Sequence, residues 1–431
     1  MLYYGNSQKC ITPCHPVYLA GYAARWGKRS QGIHDDLFVK AFYFEQSDCR
    51  MLLLFLDVEG IPKELASPVR KRIQNELGVE KVSFSATHCH SAPHAYPQVQ
   101  LEHEEMDAAW VAYLQMQMFF AAQEAITTKF PALVGHSSIQ VPEIARNRRK
   151  GHTETDPALF VLQITNLEQK IRGLILTYSC HCTVLDASNF LISSDYPGYI
   201  YKIMNKRFPD AVIAFSNGAA GDINIGYSSD ASALGEKMDI RTFKNAERIA
   251  GILCDKAASC QQKIVMEDDV PIGFLVKDIA FPLREDVPTE ESLWSDILAL
   301  NKKILACSDE VELRSLKLQK IYLQCFVLRL HSNPHEDNTL FAQSMLVRIG
   351  KLLYVTIPGE LFTIPGLAIK AHFNTAFHTA ILGYSNGYIG YLPSLEAMKE
   401  GGYESETSIF TNDVADSLIR QLTAGPMPFM N

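Results

Sequence analysis

The chain alternates between apolar and polar residues in several short segments, and this period-two pattern predicts β-strands. The alternation is clear over 37–44 and over 81–90, each of which we expect to be one strand. Residues 51–56 are apolar at every position, as expected of a strand that is buried on both faces of a sheet. Further strands are predicted over 160–164, 171–179, 211–215, 345–349, 352–357 and 379–384.

Other segments place apolar residues three or four positions apart, which is the spacing of one face of an α-helix. In the segment 106–125, Trp110, Leu114 and Met118 have this spacing. A helix is also predicted over 62–77, because the segment begins with a proline and a glycine follows it. Residues 232–262 and 289–330 read as helical too. The second of these predicts a helical hairpin that packs on the domain, and it could also wall a pocket or form a dimer contact.

The order of these elements indicates an α/β fold. Residues 37–90 run strand, strand, helix, strand, which predicts a mixed β-sheet core with helices on its faces. The sequence has no internal repeat, low-complexity tract or long linker. We therefore expect residues 1–431 to form a single large domain with a helical-hairpin insertion over about 285–330. Residues 1–36 are predicted to be a loop-rich entry segment.

Composition and charge narrow the class of function. The 431 residues are 47% hydrophobic and 20% charged, as in a globular enzyme. A net charge of −8 argues against nucleic acid as a partner, because phosphate binding needs a basic surface. No apolar run reaches the roughly 18 residues of a membrane span, and no signal peptide is visible. The ten cysteines are scattered, so we expect reduced thiols and a cytoplasmic protein.

Two histidines lie at the end of the predicted strand 81–90. Residues i and i+2 of an extended chain project to the same side, so His88 and His90 can face one point beyond the strand. This is where α/β folds bind their ligands. Two imidazoles at one point suit a divalent metal, with one as its ligand and the other beside it. A polar loop with incidental histidines is the alternative.

Two further candidate ligands follow other predicted strands. His181 comes after 171–179, and Glu360 comes after 352–357. A lone histidine at such a place usually makes a structural hydrogen bond, but two histidines and one carboxylate with a water form a common catalytic zinc site. Zinc lowers the pKa of its water toward about 7, which supplies a nucleophile at neutral pH. The hypothesis is that His88, His181 and Glu360 meet, because they occupy equivalent places at strand ends.

Three further motifs leave alternatives open. The basic run 146–150 is either a solvated loop or the source of one arginine that reaches an anionic site. Either Ser194 or Asp195 can cap a helix that begins after it. Cys10 and Cys14 could be a metal or redox pair, but their loose spacing and the lack of a second pair favour a structural role.

Six ordered motifs span nearly the whole chain. They are an opening with Ile11-Thr12-Pro13, Gly21-Tyr22 and Gly32-Ile33-His34-Asp35; then Ala86-Thr87-His88-Cys89-His90-Ser91-Ala92-Pro93; Cys180-His181-Cys182; Ser193-Ser194-Asp195-Tyr196-Pro197-Gly198; Asn217-Gly218-Ala219-Ala220-Gly221-Asp222; and Pro358-Gly359-Glu360 with a tyrosine-rich tail. In this order they resemble the neutral/alkaline ceramidases and their bacterial relatives, whose signature "ATHTHSGP" is similar to the second motif.

The resemblance implies a set of site residues. One zinc ion per chain would be bound by His88, His181, Glu360 and Tyr391. The substrate carbonyl would be surrounded by His90, Arg148 and Tyr403. Of these, Arg148 and Tyr403 would donate hydrogen bonds to the oxyanion, and His90 would relay a proton from water to the leaving amine. The arginine of 146–149 that enters the site is left open, because Arg146 and Arg149 lie beside Arg148.

Two departures from the family pattern limit what the resemblance implies. Asn224 stands where the ceramidases have a serine with an assigned catalytic part, and an amide cannot act as a nucleophile. The chain ends at Asn431, so we expect a short relative that lacks the C-terminal β-sandwich domain. The sequence therefore predicts a zinc-dependent hydrolase that cleaves an amide bond of an N-acylated small molecule. The alternatives are an ester or lactone hydrolase and a non-catalytic relative that binds a ligand.

Overall fold

The structure, a computed structural model, describes residues 1–25, 27–95, 106–285, 287–333 and 335–426. The strands in chain order are β1 (Tyr3–Cys10), β2 (Gly32–Ile33), β3 (Phe38–Gln46), β4 (Cys49–Leu56), β5 (Lys81–Ala86), β6 (Phe130–Gln140), β7 (Arg146–Asn147), β8 (Ala158–Asn166), β9 (Ile171–Tyr178), β10 (Leu191–Ile192), β11 (Val212–Asn217), β12 (Ile223–Asn224), β13 (Ile272–Pro282), β14 (Thr339–Ile349), β15 (Leu352–Thr356), β16 (Glu360–Leu361), β17 (His378–Leu382) and β18 (Tyr391–Leu392).

The helices are α1 (Lys63–Leu77), α2 (Ala108–Thr127), α3 (Tyr196–Arg207), α4 (Ser229–Ala233), α5 (Phe243–Gln261), α6 (Glu290–Ala306), α7 (Glu310–Ser332), α8 (Thr363–Phe373), α9 (Leu395–Glu400), α10 (Tyr403–Glu406) and α11 (Val414–Thr423). Within the described ranges, none of them combines the length and the apolar character needed to cross a bilayer.

Twelve of these strands form two larger sheets, and the other six form three two-stranded sheets, β2–β10, β7–β12 and β16–β18. The main sheet has the order β11-β9-β8-β6-β1-β3-β4-β5, and the second sheet has the order β13-β14-β15-β17. Both sheets are mixed, because β4–β5, β9–β11 and β15–β17 are parallel pairs and the other pairs are antiparallel. The predicted mixed α/β architecture is confirmed.

The two sheets stack face to face, with helices on their outer faces. Helices α1, α2, α3 and α5 pack on the outer face of the main sheet, and α6, α7, α8 and α11 pack on that of the second sheet. A third apolar core lies between the sheets. In the apolar run 51–56 the even-numbered residues belong to the core under the helices and the odd-numbered ones to the core between the sheets. The run is therefore buried on both faces, as predicted.

The N-terminal segment differs from the prediction. Residues Tyr3–Cys10 are not loop but form β1, which lies inside the main sheet between β3 and β6. The prediction was wrong because the strand contains Asn6 and Ser7, whose polar groups are satisfied by residues far away in the sequence. Asn6 donates to the Arg172 carbonyl, and Ser7 donates to Glu124. The strands β6 and β13 were likewise not predicted.

Several predicted boundaries also shift. The helix predicted over 106–125 begins at Ala108, because Asp107 accepts a hydrogen bond from Trp110 N and caps it. The helix predicted over 232–262 is two helices, α4 and α5, since Gly235 (φ +71°) ends the first. The predicted helical hairpin is present as α6 and α7, and Asp195 is the cap of α3.

The segment 383–386 joins the two edge strands of the main sheet. Its Gly383 N donates to Asn217 O at the end of β11, and its Tyr384 O accepts from Ala86 N at the end of β5. The side chain of Asn217 also donates to the carbonyl of Thr87 at 2.7 Å. These bonds bring the loops that follow β5, β11 and β17 to one place, beside the loop after the neighbouring strand β9, and the candidate site lies there.

Candidate metal centre

His88 lies two residues after β5 and has a left-handed backbone conformation, with φ +60°. Such a conformation is uncommon for a residue other than glycine and is held here by a hydrogen bond from His88 N to Val58 O. The imidazole Nδ1 lies 2.7 Å from Glu59 O, so it carries the proton and donates. Nε2 is therefore the nitrogen with a lone pair. The strand predicted to reach residue 90 ends at Ala86 because the chain turns at His88.

His181 follows β9 and is oriented in the same way. Its backbone N and its Nδ1 both lie within hydrogen-bond distance of Ile223 O, at 3.1 and 2.9 Å. Since a carbonyl can only accept, Nδ1 donates and Nε2 carries the lone pair. A backbone carbonyl that fixes the tautomer and ring orientation is a usual feature of histidines that bind metals.

Glu360 is placed by a short parallel ladder. It begins β16, which pairs with β18 so that Glu360 lies opposite Tyr391, and its N donates to Gly390 O at 2.8 Å. Oε2 of Glu360 lies 3.1 Å from Nε2 of His181 and 3.4 Å from Nε2 of His88. All three side chains are 1% exposed.

This donor set fits a tetrahedral metal ion. Ligand atoms of the three residues lie within 4.8 Å of one another. Two atoms that each lie about 2.0–2.1 Å from a tetrahedral zinc are about 3.3–3.4 Å apart, close to the distances found here. Two imidazole lone pairs and one carboxylate are ligands that zinc prefers. The group His88, His181 and Glu360 can therefore bind a metal, and the predicted convergence of these residues is observed.

The protonation states favour metal binding. Burial and, to a smaller extent, the charge of Arg148 lower the pKa of His181 to about 4. Burial raises the pKa of Glu360, but the neighbouring His88 and His181 outweigh it and hold this pKa well below its usual range. Near neutral pH the site thus presents a neutral imidazole and an ionised carboxylate, which are the forms that bind metals.

Tyr391 lies beside this group. Its position opposite Glu360 in the ladder puts both residues on one side of β16 and β18, and both line the same cavity. Its hydroxyl accepts a hydrogen bond from Nη2 of Arg148 at 3.1 Å. Burial raises the pKa of Tyr391 well above its usual value, while Arg148 acts in the opposite direction.

His90 is close to the three candidate ligands. Its Nε2 lies 3.1 Å from Nε2 of His88 and 3.9 Å from Oε1 of Glu59. Burial lowers the pKa of His90 well below its usual value, so the imidazole is neutral near pH 7. The predicted proximity of His88 and His90 is thus seen, although a turn of the loop produces it and not the geometry of an extended strand.

Of the basic run, Arg148 is the residue that reaches the cavity. Its Nε donates to Glu404 at 2.8 Å, and its Nη2 donates to Gly221 O and to Tyr391. Arg149 turns away toward Glu404 and the Gly401 carbonyl, and Arg146 binds carbonyls of its own loop.

Tyr403 also lines the cavity, next to Tyr391. Its ring centroid is 5.9 Å from that of Tyr391, and its hydroxyl is 3.7 Å from the Cys325 thiol. The remaining lining includes Glu59, Arg329 and Tyr388. The cavity thus gathers His90, Arg148 and Tyr403 around the candidate metal centre.

Two sequence motifs serve as scaffold for the site. Asp222 accepts hydrogen bonds at Oδ1 from N and Oγ1 of Thr363, and at Oδ2 from Asn147. It therefore ties the chain after Glu360 to the chain before Arg148. Asn224 makes three side-chain hydrogen bonds within the following turn, because its Nδ2 donates to Tyr227 O and its Oδ1 accepts from the backbone N of Gly226 and of Tyr227.

Sequence reasoning missed Glu59, Arg329 and Tyr388. Glu59 follows the end of β4, so the rule that selected Glu360 could have found it. The first carboxylate after that strand is Asp57, but it lies outside the cavity and forms a buried ion pair with Lys40 at 3.0 Å. For Arg329 and Tyr388 the sequence gives no signal, since one lies within a helix and the other among several tyrosines.

Comparisons with known proteins agree with the geometry. The neutral ceramidase of Pseudomonas aeruginosa is 21% identical, over 91% of this chain and 67% of the relative. The neutral ceramidase of Drosophila melanogaster is 19% identical over 93% of this chain and 72% of the relative. The neutral ceramidase of Mycobacterium tuberculosis is 22% identical over 89% of this chain and 70% of the relative. No family model matches the sequence.

Solved structures give the same result for the fold. The crystal structure of neutral ceramidase from Pseudomonas aeruginosa superposes with a TM-score of 0.76 at 19% identity, over 98% of this chain and 73% of that one. A structure described as ceramidase complexed with C2 gives a TM-score of 0.75 at 18% identity, over 98% of this chain and 74% of that one. The predicted resemblance to the neutral ceramidases is confirmed, and the chain has their fold.

Proposed function

We propose, on the premise that this chain resembles the neutral ceramidases in sequence and in fold, that it is a zinc-dependent hydrolase. The bond it cleaves is the amide bond of an N-acylated substrate. The observation that carries the proposal is the buried group His88, His181 and Glu360, whose donor atoms have the spacing and protonation of a metal site. Tyr391 is the proposed fourth ligand.

Zinc held there would supply a Lewis acid and a water of lowered pKa. The residues around it have separate tasks. His90 is neutral and lies next to the ligands, so its imidazole can accept a proton from the attacking water and return it to the leaving nitrogen. The carbon–nitrogen bond then breaks with a neutral amine as the leaving group, and the acid product keeps the water oxygen.

Arg148 and Tyr403 are suited to stabilise the oxyanion that forms on the substrate carbonyl. Arg148 is fixed by Glu404, by Gly221 O and by Tyr391, so little reorganisation is needed when charge develops. Burial raises the pKa of Tyr403 well above its usual value, which keeps its hydroxyl protonated and able to donate.

The substrate is proposed to be a small N-acylated molecule rather than ceramide, and the protein is proposed to act in the cytoplasm. The amide of Asn224 is used within its own turn, which supports a mechanism without a nucleophile at that position. The ten cysteines are free thiols, which supports a reducing compartment.

Metal analysis and a substrate panel test the proposal together. Purified protein should contain about one zinc per chain, and H88A and H181A should lose it. Zinc-loaded protein should hydrolyse at least one member of a panel of N-acyl amides, with esters and lactones of matched acyl chains beside them.

The panel also separates the alternatives. Faster turnover of esters or lactones than of every amide would make the protein an esterase or lactonase that uses the same side chains. Folded protein that binds no metal and is inert toward the whole panel would contradict the proposal and favour a ligand-binding role.

A further inference from the structure

Glu360 has a second set of partners on the side away from the histidines. Its Oε1 accepts a hydrogen bond from the Tyr388 hydroxyl at 2.7 Å. Because that hydroxyl has one proton to give, it acts as the acceptor toward Arg329, whose Nη2 lies 2.8 Å away. The same Nη2 is 3.8 Å from Oε1 itself, and the guanidinium carbon lies 4.4 Å from the centre of the Tyr388 ring.

The two oxygens of Glu360 thus have different neighbours. Oε2 lies within 3.4 Å of both imidazole Nε2 atoms of His88 and His181, whereas Oε1 is held by Tyr388. A carboxylate that rotates freely about its last bond can bind a metal through either oxygen or both. With Oε1 engaged elsewhere, only Oε2 is available on the side where the histidine lone pairs point.

Tyr388 and Arg329 each pack closely against a glycine backbone. A Cβ at Gly60 would lie 2.7 Å from the Tyr388 ring, and one at Gly390 would lie 3.0 Å from Cδ of Arg329. Tyr388 is 5% exposed, and the Arg329 side chain is 13% exposed. Such packing restricts both side chains to the observed rotamers, so the hydrogen bonds form at little further entropic cost.

We propose that Tyr388 and Arg329 are positioning residues that fix Glu360 as a ligand through Oε2 alone. The inference rests on the proposed metal site. It adds a role for α7, because Arg329 projects from that helix of the hairpin into the cavity. The hairpin therefore does more than pack on the domain, since it contributes to the metal affinity of the site.

Zinc affinity of the metal-stripped protein tests this role without an activity assay. A titration against a competing chelator should show about 10-fold or greater loss of affinity in Y388F, as is typical when the partner of a ligand is removed. R329M should lose less, because Tyr388 can still reach Glu360, and R329K should recover part of that loss by keeping a charged donor.

Two controls match the chemistry of the tested variants. Y43F removes another tyrosine hydroxyl that donates to a glutamate, Glu45, at a place away from the site. R314M removes another arginine of α7, which pairs with Glu236 on the surface. Both should bind zinc as tightly as the wild type.

The outcomes separate this inference from the proposed function. Wild-type affinity in Y388F, with only a lower melting temperature of the stripped protein, would mean that Tyr388 is merely structural and would overturn the inference alone. If Y388F does not fold, the two Arg329 variants decide instead. A lower zinc affinity in R329M than in R329K supports the inference, and wild-type affinity in both overturns it. A wild-type protein that binds no zinc would overturn the inference and the proposed function together.

Discussion

Arg148 and Glu404 form an ion pair, 2.8 Å between Nε and Oε1, with the two side chains 6% and 3% exposed. Burial raises the pKa of Glu404, but Arg148 and a bond from Ser229 outweigh it and lower this pKa below its usual value. For Arg148, burial lowers the pKa, but Tyr391 and Glu404 together raise it well above its usual value. Both side chains are thus charged, and each charge is stabilised by the other because the pair is buried away from water.

Replacing Glu404 by alanine should therefore destabilise the protein strongly. The substitution leaves a buried guanidinium without its carboxylate, and such losses are worth roughly 3–5 kcal/mol of unfolding free energy. Urea unfolding of E404A against the wild type measures this. E404Q keeps the shape and one acceptor oxygen and should lose less.

Glu400 offers the matched control for this pair. It contacts Arg149 with a side chain that is 48% exposed, so E400A should change the unfolding free energy by less than about 1 kcal/mol. Equal losses in E404A and E400A would show that burial of the pair does not increase its contribution to stability.

Removing the proposed metal ligand Glu360 and removing the proposed oxyanion donor Tyr403 should have different effects. E360Q should weaken metal binding, because it replaces a carboxylate ligand by a neutral amide. Y403F should keep the metal and slow turnover by roughly 100-fold or more, as expected for loss of one donor to an oxyanion. Metal content and kcat of both variants, measured side by side, check this. Equal metal loss in both would contradict the separate roles.

Y113F serves as the control for Y403F. The Tyr113 hydroxyl donates to Cys10 O at the surface, away from the cavity. Its removal should leave kcat unchanged.

Much of the candidate site could be predicted from the sequence because three of the four candidate ligands follow a buried strand. Segments such as 51–56 and 352–357 are predicted to be buried strands from their apolar composition alone. A residue that follows such a strand is a candidate ligand. His88, His181 and Glu360 all satisfy this rule. Tyr391 came from the family resemblance, since its place opposite Glu360 depends on a two-residue ladder that no pattern predicts.

The other parts of the fold and of the candidate site depend on long-range contacts, which sequence patterns do not contain. Strand β1 has a polar sequence and is a strand because β3 and β6 lie on both sides of it. Arg329 is one of several arginines on helices, and it reaches the site because the hairpin lies over the cavity. Glu404 is next to Tyr403 in the sequence, but its contact with Arg148 depends on the fold and could not be predicted from a pattern.

His136 should make the stability depend on pH. It lies on β6, and its Nε2 is 2.9 Å from Nδ1 of His378 at the start of β17, so the pair links the two sheets. Burial lowers the pKa of His136 to about 4, and His378 adds to the effect. In the unfolded chain His136 takes up a proton near pH 6.5, the ordinary pKa of histidine. In the folded protein it does so only near pH 4. Stability from this residue is thus present above pH 6.5 and lost as the pH falls toward 4.

A comparison with H136N isolates this contribution. The wild type should lose stability relative to H136N between pH 7 and pH 5, and urea unfolding at the two values measures the difference. The same pH dependence in both proteins would show that the His136–His378 contact does not hold His136 neutral.

The size of the cavity should limit the acyl chain. The space next to the candidate ligands is about 90 Å³, less than the roughly 150 Å³ of an engineered cavity that binds benzene. Helix α7 closes one side with Ile321 and Leu328. Zinc-loaded protein should therefore hydrolyse N-acetyl amides with higher kcat/KM than N-palmitoyl amides of the same amine. I321A and L328A should shift this preference toward longer chains, whereas L313A, on the same helix outside the cavity lining, should not. A wild-type preference for the palmitoyl amide would show that the chain binds elsewhere.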